Sequence, residues 1–469
     1  MSNVRDFGAM GDGAMDDLPA FEHCLRDGDG TLELPPGDYR FSKPLVVRLK
    51  ETGRFSLRGT GGAARILMAG AGPALSLLGT HTTTADPAGF RPEEWTRERM
   101  PTVGDVEIVG EHPEADGVRI EGVMQPTLAG VLLRKLRTAV QVTGRARNVL
   151  ISHCHIYNNT GVGVHLDKVN LHQAIITGSH ISYCRLGGIR LEQSEIRNVQ
   201  ITGNDIEYNN NRSHKVEGAD AVPTAEIYID TGDGSIREGT IASNTIQATY
   251  SPGGANIRFI GQSPKANHRG GMWAITGNLI GSQDYNVWLT SVRGITLSGN
   301  MIYSGHQRNL LIEHCRNIVV GANVFDHNPD YDPNELATGI RVVDSVDVLL
   351  QGLLIQDAQA GKHTWKDAGG TLNREALLEI VRSRRVNLSG VQVIDGAPLG
   401  ILLDECSDTV LTGCTVLEGR PSDQARMEQA IRWTGAGAGN LVSACRLGRG
   451  TGPAVDWPAH VTRSNLVAD

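Results

Sequence analysis

A right-handed parallel β-helix with an N-terminal capping helix is the all-β fold this sequence predicts, and three observations predict it. A two-part unit recurs through the middle of the chain, each part carrying one short strand. The composition, with 57 glycines and 5% aromatic residues, suits many short strands joined by tight turns better than long helices. An opening segment that reads as helix and then strand can close the first coil, the open edge a solenoid has to cover. At 469 residues the chain exceeds one compact core, but stacked repeats add core linearly without widening the cross-section. The expected organisation is a cap and first coil over residues 1–45, then one continuous helix of roughly a dozen coils over 46–469.

In the cap, Asp16 and Asp17 precede Leu18-Pro19, where an N-cap belongs and where the missing N–H of proline costs nothing. Leu18, Phe21, Cys24 and Leu25 follow with helical spacing and supply the apolar stripe that covers the coil end. Both aspartates are therefore expected to be structural. The run DFGAMGDGAMDD from Asp6, together with TLELPPGDYRF ending at Phe41, resembles the opening of the pectate-lyase-like β-helix superfamily. There a glycine-rich turn, an acidic pair, a capping helix and a Leu-Pro-Pro-Gly-x-Tyr strand close the first coil.

One part of the repeat reads ISHCHI, ITGSHI, ITGNDI, IASNTI, ITGNLI, LSGNMI and VGANVF. Its fourth position is Cys154, Ser179, Asn204, Asn244, Asn278, Asn300 and Asn323, a ladder expected to point inward at a corner and satisfy buried backbone groups. The other part reads GVHLD, GIRLE, EIYID, NIRFI, NVWLT, NLLIE and GIRVV. Alternation sends Val164 and Leu166, Ile189 and Leu191, Ile227 and Ile229, Ile257 and Phe259, Val287 and Leu289 inward. The remaining positions then form three outward columns. The first is Gly163, Gly188, Glu226, Asn256, Asn286, Asn309 and Gly339; the second His165, Arg190, Tyr228, Arg258, Trp288, Leu311 and Arg341; the third Asp167, Glu192, Asp230, Ile260, Thr290, Glu313 and Val343.

Three stacked carboxylates, Asp167, Glu192 and Asp230, repel one another, so a surface without a task seldom carries them. Ile189 to Ile227 spans 38 positions, with the surplus in Asn209 to Thr224, and further inserts fall at Ala248–Ala255, Gly261–Gly271 and Asp326–Ala337. Such loops can wall a groove over Glu226, Tyr228, Asp230 and Arg258. Glycoside cleavage needs two carboxyl groups, one protonated near neutrality. Glu226 leads as the catalytic carboxylate, with Asp230, Glu192 and Asp205 competing for the second role. Tyr228, Arg258, Arg190, Trp288, His165, Asp167 and Asp330 are the expected sugar contacts. The competing expectation is a solvated face in which Arg190 and Arg258 merely pair with these acids.

From about Ile201 to Val343, the segments EIYIDTG and NLLIEHCRNIVVGANVFDHNPDYDP are similar to inulin fructotransferases and the related difructose-anhydride hydrolases. These are trimeric β-helices that cleave fructosyl linkages at clefts between subunits. The resemblance puts the essential glutamate of that family on Glu226 and implies a homotrimer. The partner aspartate has no clean counterpart, since ITGND places Gly203 near its position and Asp205 displaced from it. A polysaccharide lyase is the rival enzyme, with Arg258 as base and Asp167, Glu192 and Asp230 holding Ca²⁺; the hydrolase reading needs no cofactor. A glycan-binding β-helix without catalysis, such as a phage tailspike trunk, is the third reading.

Several features bound the rest. A formal charge of −8, with no long run of Lys or Arg, argues against nucleic acid as a partner. Seven scattered cysteines lack disulfide or zinc spacing and are expected as buried thiols. The start MSNVRDFGAMGDG has no basic segment followed by an apolar one, and no stretch has membrane-spanning length, so a cytoplasmic location is expected. That location favours hydrolysis of a small imported saccharide. His153, His155 and His180 beside the ladder have no third ligand at fixed spacing and are expected to be surface histidines. Asp326, His327, Asp330 and Tyr331 fall in a loop beside the groove, and Lys362 to Asn373 is a polar interruption of the later coils.

Overall fold

The computed structural model describes residues 1–82, 89–212, 224–262, 268–328, 330, 339–356 and 374–468. Of the expected features, Tyr331, the polar stretch 362–373 and parts of three inserts (213–223, 263–267, and 329 with 331–337) lie outside them. The chain falls into two compact units, residues 1–240 and 241–469. Among the described residues no helix is long and apolar enough to cross a membrane.

Unit 1 opens with the expected cap. The helix Leu18–Asp27 buries Leu18, Phe21 and Cys24. Phe21 meets the rings of Tyr39 and Phe41 edge-on, with centroids 5.4 and 4.8 Å away. Asp16 and Asp17 are structural but cap less of the helix than expected. Asp17, fully buried, accepts from the backbone N–H groups of Met10, Gly11 and Arg40. It therefore ties the glycine-rich turn to the following strand. Asp16 accepts from the Ser42 hydroxyl at 2.6 Å and from Leu18 N–H at 3.3 Å.

Later coils of unit 1 carry three strand segments, as in Ile189–Glu192, Glu195–Thr202 and Asp205–Glu207, or two where the first pair merges, as in Val162–Thr177. Consecutive coils pair in parallel with the expected register. Val164, Ile189 and Ile227 stack, as do Leu166, Leu191 and Ile229, all fully buried. The ladder forms where it was expected: Ser179 Oγ accepts from Cys154 N–H, and Asn204 Oδ1 from Ser179 N–H. Unit 2 repeats it, Asn278, Asn300 and Asn323 accepting in turn from the backbone N–H of Asn244, Asn278 and Asn300. The residue before each rung has positive φ, as at Gly178 (59°), Gly203 (66°), Gly277 (65°) and Gly299 (68°). Glycine recurs there because it adopts this backbone without a Cβ penalty.

The seven cysteines are buried and free. Several stand in for ladder residues: Cys154, Cys184, Cys315 and Cys406 each place Sγ against a backbone carbonyl two residues earlier. An interior rung thus accommodates a thiol in place of an amide or hydroxyl.

Candidate functional site

The first of the three expected outward columns is turned inward. In unit 2, Asn256, Asn286 and Asn309 are fully buried and form a second ladder, Asn256 Nδ2 donating to Asn286 Oδ1 (2.8 Å) and Asn286 Nδ2 to Asn309 Oδ1 (2.6 Å). In unit 1 the same corner holds Asn159, Cys184 and Asn209. Glu226, expected to lead the surface site, is 1% exposed. Its Oε1 accepts from Asn209 N–H (2.8 Å) and its Oε2 from Asn209 Nδ2 (2.5 Å). The corner bends the chain, so Glu226 and Ile227 both face inward and strand alternation begins only after them. Burial drives the Glu226 carboxyl well above the usual carboxylate range, against the hydrogen bonds from Asn209.

The second and third columns face outward and stack as expected in unit 1. His165, Arg190 and Tyr228 are neighbours in register, as are Asp167, Glu192 and Asp230. The face is bound up in its own contacts. Arg190 holds Glu192 bidentately at 2.8 and 2.9 Å, and His165 Nε2 lies 2.8 Å from Glu192 Oε2. Burial alone would raise the Glu192 carboxyl, but the hydrogen bonds from His165 and Arg190, and then their charges, outweigh it and hold it at about 2. The Arg190 guanidinium covers the Tyr228 ring at 4.5 Å, and Tyr228 Oη lies 3.3 Å from Asp230 Oδ2. Asp230 Oδ1 accepts from Gly232 N–H, and Asp167 from Gln141. Here the geometry is that of a salt-bridged face in which the Tyr228 ring is already occupied.

In unit 2, Trp288 is also engaged: the Arg258 guanidinium lies 3.7 Å from its ring centroid, and its Nε1 donates to Glu313 Oε2 at 2.6 Å. Arg258 donates to Thr290 Oγ1. Asp330 sits in an exposed turn, its N–H donating to Asn328 Oδ1. Asp326 accepts from the backbone N–H of His327.

Asp205, the displaced aspartate, belongs to a group that the sequence left unassembled. On the outward strand Asp205–Glu207 it pairs in register with His180, and Glu207 with Ser182. Asp205 Oδ2 lies 3.0 Å from His180 Nδ1, and the His180 ring stacks on His155 with centroids 5.3 Å apart. Glu207, the neighbour two residues on, is pushed up to about 7, by burial first and then by the charge of Asp205 and a hydrogen bond with it. At the adjoining corner the rings of Tyr183 and Tyr208 stack at 5.4 Å, with Tyr183 exposed. Asn209, the next residue, carries Glu226 beneath. The arrangement offers two adjacent carboxyl groups, one pushed up towards neutrality, beside an aromatic pair of which Tyr183 is exposed. The sequence signal was the spacing in DIEY: carboxylates two apart on a strand share a face.

Among the described residues no group of three or more His, Cys, Asp or Glu side chains is arranged to hold a metal ion. The oxygens of Asp167, Glu192 and Asp230 do not converge in the manner a calcium cage needs.

A family model described as right handed beta helix region matches residues 102–226. The fold is a right-handed parallel β-helix. Among solved structures, the enzymatically active domain of bacteriophage CBA120 tailspike protein 2 is 12% identical over 81% of this chain and 51% of its own, with a TM-score of 0.49. The Dettilon tailspike protein is 14% identical over 92% and 68%, at 0.47. The A-module of the Azotobacter vinelandii mannuronan C-5 epimerase AlgE4 is 14% identical over 98% and 99%, at 0.35. Likenesses of this size carry no argument about a reaction or a substrate. No curated protein sequence matches the chain.

Proposed function

We propose that the chain is a carbohydrate-active enzyme that cleaves glycosidic bonds, with Glu207 as the acid and Asp205 as its partner carboxylate. The observation that carries this reading is geometric: Asp205 and Glu207 share the outward face of one strand, where burial and the charge of Asp205 push the Glu207 carboxyl up, beside the Tyr183–Tyr208 stack. The glycosidic oxygen takes the Glu207 proton and leaves as the alcohol when its C–O bond breaks; Asp205 faces the oxocarbenium ion, and water then adds to that carbon and returns a proton to the Glu207 carboxylate. The rings of Tyr183 and Tyr208 suit the apolar face of a sugar. Glu226 acts only as a positioning residue, holding Asn209 and hence the corner that carries Tyr208.

Fructosyl linkages head the substrate panel on the strength of the EIYIDTG and NLLIEHC segments alone, and a trimeric assembly is proposed on the same ground. The test is Glu207→Gln in the full chain, assayed on fructans, difructose anhydrides and other neutral and acidic glycans. A folded variant that still binds sugar but has lost turnover supports the assignment. Undiminished turnover removes it, and a wild-type chain that binds glycans but turns none over indicates a binding protein.

A further inference from the structure

Unit 2 contains a cavity of about 400 Å³, lined among others by Tyr285, Leu311, Glu313, Arg341 and Val343, that the proposed reaction does not use. Its floor is apolar: Leu311, Val343 and Val381 form a buried cluster against which Tyr285 and Trp288 pack. One wall is cationic. Glu379 is fully buried and is shared by two guanidinium groups, those of Arg308 and Arg341. Among the described residues one carboxylate cannot neutralise both, so this wall keeps positive charge in a poorly solvated setting. Of the other acids at the cavity, one is neutralised by its own arginine, while Glu313 keeps its charge and makes the cavity zwitterionic. Asp344 is held bidentately by Arg382, and Glu313 Oε2 accepts from Trp288 and Thr290.

The decisive group is Arg341. It is one-third exposed and, among the described residues, bonds through Nη1 to Glu379. Its Nε and Nη2 hydrogens remain, a planar fork that matches two oxygens of a carboxylate or phosphate. Beside it, Glu313 Oε1 makes none of the bonds that occupy Oε2 and can accept from a hydroxyl. We infer that this cavity binds a small anionic sugar derivative, its oxyanion on the Arg341 fork, a hydroxyl on Glu313 and its ring over Leu311 and Val343. This site lies wholly within unit 2 and does not depend on the acid pair of unit 1.

Calorimetric titration of the full chain with glucuronate, glucose 6-phosphate and glucose tests it. Binding of either anion, with glucose at least tenfold weaker, supports the site, and which anion binds tells carboxylate from phosphate. Arg341→Gln should weaken that binding at least tenfold. Arg341→Lys keeps the ion pair with Glu379 but lacks the fork, so it should fold and still bind several-fold more weakly. Glu207→Gln should leave the affinity unchanged, which separates this site from the proposed reaction. Failure of both anions to bind, equal affinity for glucose, or wild-type affinity in both Arg341 variants overturns the inference.

Discussion

Replacing Glu207 by glutamine should stabilise the protein while removing its acid. In the folded chain the Glu207 carboxyl titrates at about 7 rather than at its ordinary 4.5. Each unit of such a shift corresponds to about 1.4 kcal/mol. The folded state therefore binds this proton more tightly than the unfolded one. That contribution is fully present below the unfolded value and is lost as pH rises towards 7. A shift of this size gives an upper limit of about 3 kcal/mol, and screening of a partly exposed pair leaves roughly 1–2 kcal/mol. The glutamine variant carries no such loss. Its unfolding midpoint should match wild type at pH 4 and exceed it at pH 8, by roughly 2–8 °C for a unit of this size. Thermal or urea unfolding at pH 4, 6 and 8 measures the effect on unit 1. Equal midpoints across the range would refute the argument, because Glu207 would then hold no proton against Asp205.

Four further outcomes follow from the same geometry. Glu226→Ala leaves Asn209 N–H without an acceptor inside unit 1 and should cost about 2–4 kcal/mol in urea unfolding; Glu226→Gln, which sets an amide NH2 against one of the two Asn209 donors, should cost about 1–3 kcal/mol and keep its turnover. Glu192 is held down at about 2, so it contributes stability above its ordinary value that is lost as pH falls from 4.5 towards 2. Acid titration should show wild type losing about 2 kcal/mol relative to Glu192→Gln over that window. Asn286→Ala removes bonds to Tyr303 O and Asn309 Oδ1 in unit 2 and should destabilise that unit by about 2–4 kcal/mol, seen as earlier hydrogen exchange at that corner. Tyr183→Ala should raise KM several-fold and leave kcat nearly intact, since the ring contacts sugar away from the bond being cleaved.

The strand interiors were legible because an apolar period of two admits one register: a slip of one residue would have turned Ile189, Leu191, Ile227 and Ile229 outward. That alone makes neighbours of His165, Arg190 and Tyr228, and of Asp167, Glu192 and Asp230. The first ladder was equally legible, since the Gly-Asn pair in ITGN marks both the left-handed backbone and the rung. The second corner was not. Glu226, Asn256, Asn286 and Asn309 lie one step beyond where alternation applies, and extending the period through the bend turned a buried ladder into a surface column. The expected stacking surfaces failed for another reason. Arg190 on Tyr228 and Arg258 on Trp288 are side-chain choices that register does not determine. Glu207 was missed because its protonation depends on burial and on Asp205, neither of which its position in the repeat reveals.

The thiols that replace amides in the ladders turn the solenoid into its own depth gauge. Burial pushes Cys184 and Cys315 up to about 12 and Cys406 up to about 11, and only the thiolate reacts with alkylating reagents. In the closed coil they are silent. Each becomes reactive only when its own turn opens, so the order in which Cys154, Cys184, Cys315 and Cys406 acquire label traces where the two stacks fray.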